Sequence, residues 1–299
     1  MKTLWKKVIQ LVLFSTVALV ADTSLKNPFL WEVNKGVEKF YLFGTIHLVD
    51  SRFATLPNII KETIDKCDEL RTEVSMDADF QIKSAMYMMR NDGKSLKTLL
   101  KPKLYTKAEN YLKSINSQLS ILPFENMKVW GLSMVIMMLE NQLKNPTIQA
   151  LDANVYHYAR ESGKGVGGVE TIEEQISAMD TFTLEEQIDD LDATLEYLTK
   201  HSGFMDKMKN AYIEGDSRKM MAFLEETMFK VDKYREMEEK FMQVMLYDRN
   251  TKMTRRILEN IKSNPKHIHF FAFGVMHFLG EKSILQELEE KGYSIRRMK

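Results

Sequence analysis

Cysteine is almost absent from this sequence of 299 residues, in which Cys67 is the only one. A single cysteine excludes an intramolecular disulfide framework, a cysteine-rich zinc site and a CxxC redox pair. A net charge is absent too, because 42 Lys and Arg residues balance 42 Asp and Glu residues. This balance excludes a general electrostatic attraction to nucleic acid or to an anionic membrane surface.

Several familiar catalytic motifs are also missing. The sequence contains no GxSxG, no HExxH, no Walker loop and no GxGxxG fingerprint. A glycine-rich segment at 163–168 follows a predicted helix and leads into a predicted strand, which is the reverse of the order in a phosphate-binding loop. The sequence therefore gives no support to serine-hydrolase, zincin or nucleotide-binding chemistry.

Long hydrophobic runs are lacking, and the first apolar run is short. Residues 1–21 contain Lys2, Lys6 and Lys7, then an apolar run at 8–20, and end at Ala21. This layout is typical of a secretory signal peptide, and the run is shorter than the roughly 20 residues that a membrane span needs. We predict cleavage after Ala21 and a periplasmic or secreted mature chain; a buried amphipathic helix or an uncleaved anchor is the alternative.

The rest of the chain alternates between strand and helix patterns, which predicts an α/β fold with a mixed β-sheet framed by helices. We expect one domain over 22–299 with a helical insertion of four or five helices at about 172–262, because no linker divides the chain. The apolar segment 124–143 is expected to form a buried helix. The predicted strands are 29–33, 38–44, 70–75, 166–169, 267–273 and 293–298.

Two similar segments follow predicted strands at opposite ends of the chain. FGTIH occupies 43–47 and FGVMH occupies 273–277, so each places Gly-x-x-His at a strand exit. With 13 Gly and 6 His in the chain, chance alone predicts about 0.3 such matches. The glycines permit a sharp turn and leave room for a ligand, and α/β proteins place their sites at this edge of the sheet. The pattern predicts that His47 and His277 bind one divalent metal ion.

Two acidic residues are candidates for a third, anionic ligand. Glu73 ends the third predicted strand, and Glu170 follows the fourth. The alternatives are a solvated strand-end residue for Glu73 and a helix N-terminal acid for Glu170. His267 and His269 also share one strand face, but alternation alone explains this, and we interpret them as structural or surface residues.

The motifs resemble those of the TraB/GumN family, also called the Tiki/PrgY/TraB group, and most closely its GumN-like bacterial branch. The resemblance rests on both Gly-x-x-His segments, on GGVETIEEQ at 167–175 and on DRN at 248–250, in the expected order. Two positions depart from the family pattern: Asp248 replaces the usual Glu, and Met276 replaces a small residue before the histidine.

The resemblance implies an architecture similar to that of erythromycin esterase-like and ChaN-like proteins. It also implies a metal-dependent protease in which His47, His277 and a glutamate, Glu73 or Glu170, are essential. We assign Glu73 to the metal, and Glu170 to proton transfer as the spare carboxylate. Arg249, if it faces inward, is a candidate for steadying an oxyanion or a substrate carboxylate, and Arg52 is a weaker candidate for that role.

The sequence therefore predicts a periplasmic or secreted metal-dependent hydrolase acting on a peptide, with Mn, Co or Zn as its metal. Two alternatives stay open at this point. One is a protein that sequesters a peptide or small molecule in the same pocket without catalysis. The other is a metal-independent, esterase-like hydrolase that uses His47 as its general base. No nucleic-acid partner and no membrane span after signal cleavage are expected.

Overall fold

The computed structural model describes residues 25–228 and 230–299. The predicted signal peptide at 1–21 lies outside these residues. Within them the chain forms six strands and thirteen α-helices. The strands are β1 (Leu30–Lys35), β2 (Glu38–Thr45), β3 (Glu69–Val74), β4 (Gly165–Glu170), β5 (His269–Gly274) and β6 (Ser294–Arg297).

The helices fall into groups between the strands. One helix, α1 (Asn58–Asp65), joins β2 to β3. Five lie between β3 and β4: α2 (Phe80–Met88), α3 (Leu96–Leu99), α4 (Pro102–Ile115), α5 (Val129–Lys144) and α6 (Leu151–Glu161). Six lie between β4 and β5: α7 (Ile172–Met179), α8 (Leu184–Lys200), α9 (Phe204–Glu214), α10 (Ser217–Thr227), α11 (Arg235–Met242) and α12 (Asp248–Ser263). The last helix, α13 (Ile284–Glu290), precedes β6.

All six strands belong to one mixed sheet with the order β4-β3-β5-β2-β1-β6. The strands from β4 to β2 are parallel, whereas β1 pairs antiparallel with both β2 and β6. Because parallel strands share a direction, the carboxyl ends of β2, β3, β4 and β5 meet at one edge. The predicted α/β fold with a mixed sheet and flanking helices is confirmed.

The central strands are buried because helices cover both faces of a parallel sheet. Phe270, Phe271, Ala272 and Phe273 of β5 are at most 1% exposed. Cys67 is buried as well, and burial raises the pKa of its thiol to about 12. The lone cysteine therefore belongs to the core.

A second core lies among the helices. Leu112 of α4, Leu132 and Ile136 of α5, and Leu191 and Leu195 of α8 are fully buried together there. These helices come from both sides of β4 in the sequence, so the helical part of the molecule is built from two chain segments.

Several predicted helix bounds need correction. The helix expected over 124–143 begins later, at Val129, because Leu122–Phe124 forms a short 3-10 turn. That helix is only partly buried, since Met134 and Leu143 are more than 40% exposed. The segment from β4 to β5 holds six α-helices rather than four or five. Across the described residues, no helix is both long enough and apolar enough to span a bilayer.

Candidate active site at the carboxyl edge of the sheet

The two Gly-x-x-His segments leave neighbouring parallel strands. Thr45 at the end of β2 pairs with Gly274 at the end of β5. After β5 the chain turns into a 3-10 helix, Val275–Phe278, which carries His277. The strand pairing therefore brings His47 and His277 to the same part of the sheet edge, although 230 residues separate them in the sequence.

The glycine at the end of β5 leaves a small space between the candidate ligands. A Cβ atom on Gly274 would lie 3.2 Å from Oε1 of Glu73 and 3.7 Å from both Nε2 of His47 and Cδ2 of His277. Three side chains from β3 and from the turns after β2 and β5 thus surround the volume that a methyl group would occupy.

His47 is the accessible member of this group, since its side chain is 58% exposed. Its Nδ1 lies 2.9 Å from Oδ2 of Asp152, which sits in the first turn of α6. A carboxylate only accepts hydrogen bonds, so Nδ1 carries a proton and Nε2 faces the space beside Gly274. The charge of Asp152 raises the pKa of His47 to about 9. Without a metal ion, His47 is therefore a cation at neutral pH.

His277 is uncharged at neutral pH, because burial lowers its pKa to about 4. Its Nδ1 lies 2.6 Å from Oδ1 of Asn250, whose Nδ2 donates to the carbonyl of Lys282 at 2.8 Å. That second bond fixes the orientation of the amide, so Nδ1 of His277 must be the donor. The lone pair is then on Nε2, which lies 3.7 Å from Oε1 of Glu73.

Glu73 is buried, and donors fix both of its oxygens. Oε1 accepts from the backbone N–H of Gly274 at 2.7 Å, and Oε2 accepts from Gln175 at 3.0 Å and from Arg249 at 2.6 Å. Burial acts to raise the pKa of Glu73, but three positive charges outweigh it and keep the pKa below its ordinary value: those of His277, which is protonated in the acidic range where Glu73 titrates, of Arg249 and of His47. Glu73 is therefore an ionised, oriented carboxylate rather than a solvated strand-end residue.

Arg249 faces inward and joins the two glutamates. Its Nε and Nη2 donate to Oε2 of Glu170 at 3.1 and 2.7 Å, while Nη2 also reaches Glu73. The side chain of Glu170 is only 1% exposed. A π-helical turn, Gln243–Tyr247, precedes Arg249, and such turns often occur at functional sites. Glu73, Arg249 and Glu170 thus form one buried ionic triad.

Arg52 belongs to a different part of the molecule. Its guanidinium is bound to Asp50, with two bonds of 2.7 Å, and to Asn210 at 2.8 Å. These contacts tie the loop after β2 to α9. The structure therefore does not bring Arg52 to the ionic triad.

His267 and His269 lie at the amino end of β5, at the opposite edge of the sheet. His267 Nδ1 contacts Oε1 of Glu69 at 2.7 Å, and His269 Nε2 contacts the carbonyl of Asn264 at 3.3 Å. These contacts agree with the prediction that His267 and His269 are structural or surface residues.

A large cavity in the described part of the chain does not mark this site. It measures about 1100 Å³ and lies between α4, the end of α5 and the turn from α8 to α9. None of the residues around Gly274 lines it. We therefore locate the candidate site by its converging side chains.

The side chains of His47, His277 and Glu73 are of the types that bind a divalent metal ion, although they do not form a complete coordination shell. Nowhere in residues 25–228 and 230–299 do three His, Cys, Asp or Glu side chains already stand in a metal-binding arrangement. Nε2 of His47, the Cδ2 edge of the His277 ring and Oε1 of Glu73 nevertheless border the space beside Gly274, and a set of two imidazoles and one carboxylate suits Zn, Mn or Co. Each histidine also has its Nδ1 held by an acceptor, as metal-ligating histidines usually do.

Three residues of the site were not identified from the sequence. Asn250 and Gln175 lie inside the DRN and GGVETIEEQ motifs, so those motifs offered a signal. Asp152 lies in an ordinary helical segment, 105 residues from His47, and nothing in its local sequence distinguishes it.

These features define a mixed α/β protein with paired histidines and a buried carboxylate at the carboxyl edge of its sheet. The model of the TraB/PrgY/gumN family matches residues 29–297, and the chain belongs to this family. No solved structure matches the chain significantly.

The curated relatives of this chain include several animal metalloproteases. Metalloprotease TIKI1 of Danio rerio is 25% identical over 312 residues, which cover 90% of this chain and 63% of the relative. Metalloprotease TIKI2 of Xenopus tropicalis is 25% identical and covered to 59%. Metalloprotease TIKI1 of Homo sapiens is 23% identical and covered to 61%. The chain thus spans about three fifths of the length of these relatives.

Proposed function

We propose that this protein is a metal-dependent peptidase in which His47, His277 and Glu73 bind one divalent ion, Mn, Co or Zn. The observation that carries the proposal is the convergence of His47 Nε2, His277 and Glu73 Oε1 around the space that Gly274 leaves open. The names of the relatives, which are metalloproteases at 22–25% identity, support the same reaction class.

A bound ion at this position would polarise a scissile carbonyl and lower the pKa of a water molecule. The chain supplies orientation: Asn250 fixes His277, while Arg249 and the Gly274 N–H fix Glu73. The exposed face of His47 gives a substrate access to the site.

For Glu170 and Arg249 the geometry favours supporting roles. Every nitrogen of the Arg249 guanidinium already donates, to Glu170, to Glu73 or to the Met245 carbonyl. In our proposal Arg249 keeps Glu73 ionised and oriented, and Glu170 holds Arg249. The assignments of Glu170 to proton transfer and of Arg249 and Arg52 to substrate charge stay predictions from the sequence.

We also propose that the protein acts in the cell envelope, in the periplasm or after secretion. The basic start, the apolar run and Ala21 support this proposal. N-terminal sequencing of the protein recovered from its source cell tests it. A chain that begins at Asp22 supports export, whereas an uncleaved chain in the cytoplasm contradicts it.

Hydrolysis of a quenched fluorescent peptide library in the presence of Mn, Co or Zn tests the proposed activity. We expect cleavage that a chelator abolishes and that is lost in His47→Ala and His277→Ala. His267→Ala is the matched control and should retain it, because His267 lies at the other sheet edge.

Two other results would overturn the proposal in different ways. Cleavage that survives the chelator but not His47→Ala would make the protein a metal-independent hydrolase. Peptide binding without cleavage in the wild-type protein would favour sequestration instead.

A further inference from the structure

Asp152 is a buried carboxylate that has a single hydrogen-bonding partner among residues 25–228 and 230–299. The residue is 8% exposed, and its Oδ2 contacts Nδ1 of His47 at 2.9 Å. Its Oδ1 is buried and has no hydrogen-bond partner among the described residues. Among these described residues, no Lys or Arg forms an ion pair with Asp152.

A carboxylate in this state is costly, because a buried charge needs a cation or several donors to offset its lost hydration. The N-terminal turn of α6 supplies a partial positive charge, but only His47 supplies a directed bond. Packing of α6 does not need the acid, since Leu151, Val155 and Ala159 provide its fully buried contacts. The position of the carboxylate is thus explained by the histidine it contacts.

We propose that Asp152 is a positioning residue that holds the His47 ring with its proton on Nδ1 and its lone pair on Nε2, directed at the space beside Gly274. This inference rests on the proposed function, in which Nε2 of His47 is a metal ligand. It adds a residue that none of the motifs contains.

The two histidines differ in the kind of acceptor that holds them. Asn250 offers His277 a neutral amide oxygen, whereas Asp152 offers His47 a carboxylate. A carboxylate acceptor makes the imidazole a stronger electron donor, and loss of such a partner typically weakens metal binding about 10- to 100-fold. His47 also keeps more exposed surface than His277, so it has less packing to orient it. Its orientation therefore depends more on its acceptor.

Calorimetric zinc binding to Asp152→Ala and Asp152→Asn tests this role. We expect the dissociation constant to rise about 10- to 100-fold in Asp152→Ala and less in Asp152→Asn, because the amide can still accept from Nδ1. Glu185→Gln is the matched control, since Glu185 is an exposed acid in the first helical turn of α8. It should bind zinc as the wild type does.

The second readout is the ¹⁵N NMR spectrum of the metal-free protein at pH 10, where the His47 ring is neutral. The proposal expects the proton on Nδ1 in the wild type and a shift toward Nε2 in Asp152→Ala, with His277 unchanged. An unchanged tautomer and unchanged zinc affinity in a folded variant would overturn it. If the wild type binds no zinc, the proposed function fails, while the tautomer still decides the role of Asp152. If the alanine variant does not fold, Asp152→Leu replaces it, because a leucine side chain fills a similar volume but cannot accept a hydrogen bond from Nδ1.

Discussion

Arg249 illustrates how a single residue holds the site together. Its guanidinium lies between two carboxylates that are at most 7% exposed, on Glu73 and Glu170. Each of these charges has lost most of its hydration, so each depends on the others for compensation. Removing the cation would leave two like charges facing each other in a poorly solvated environment.

We therefore expect Arg249→Met to lower the free energy of unfolding by about 3–5 kcal/mol, the usual cost of breaking a buried ion pair. Urea denaturation of the purified variant measures this loss. Arg255→Met on the same helix is the control, because Arg255 is 65% exposed and its contact with Glu259 is 3.8 Å long. The control should change stability by less than about 0.5 kcal/mol. Equal losses in both variants would contradict the buried-triad account.

Among single residues, the sequence identified several side chains that lie together at the sheet edge, but it missed the residues that hold them. His47, His277, Glu73 and Glu170 were recognisable because each lies at or shortly after the end of a strand, and the carboxyl ends of parallel strands meet at one edge. Asp152 was not recognisable, because its link to His47 depends on how α6 packs against the sheet. Local sequence patterns do not report such long-range contacts.

Among the elements, β2 and β5 define the site because they are adjacent and parallel. Each ends in a glycine-containing segment, and the last glycine of β5 lies between the candidate ligands. The sequence predicted six strands at nearly the observed places, since apolar runs bounded by turn residues mark them. It could not predict that β5 lies between β2 and β3, because strand order is a tertiary property.

Helix boundaries were harder to predict for a related reason. The start of α5 was misplaced because Phe124 and Met127 lie three residues apart, a spacing that continues a helical pattern. The exposed apolar residues of α5 misled the burial prediction in the same way. Periodicity indicates a helix, but the neighbours of that helix decide which of its faces are covered.

The glycine that ends β5 offers a prediction at this scale. We expect Gly274→Ala to fold, since its φ of −51° suits alanine, but to lose metal affinity and peptide cleavage at least about 100-fold. The added methyl group would lie 3.2 Å from Glu73 Oε1, where the ion is proposed to bind. Gly131→Ala is the control, because its Cβ would meet Met88 at an ordinary 3.4 Å. Full metal affinity in Gly274→Ala would contradict the proposed location.

For the whole molecule, the two histidines give stability a defined dependence on pH. His277 has a folded pKa of about 4, below the ordinary histidine value of 6.5, so the unfolded chain binds more protons between these values. Stability should rise with pH across that window. His47 has a folded pKa of about 9, above 6.5, so its stabilising effect is complete below pH 6.5 and is lost as pH rises through 9.

We therefore expect the metal-free protein to be most stable near pH 6.5, with lower urea midpoints at pH 4.5 and pH 9. His47→Gln should remove the decline on the alkaline side, while the decline on the acidic side persists. A wild-type midpoint that keeps rising to pH 9 would contradict the assigned charge state of His47.

The balanced composition of the chain concealed this local arrangement of charge. Equal numbers of basic and acidic residues gave no electrostatic signal for the molecule as a whole. The structure nevertheless concentrates three carboxylates, one guanidinium and two imidazoles at one edge of the sheet. The proposed function therefore depends on this local grouping of charged residues and not on the net charge of the chain.

Anomalous X-ray scattering from crystals grown with Zn, Mn or Co tests the central proposal most directly. We expect one strong peak per chain beside Gly274, about 2 Å from Nε2 of His47, Nε2 of His277 and a carboxylate oxygen of Glu73. A peak bound by other residues, or none at saturating metal, would contradict it.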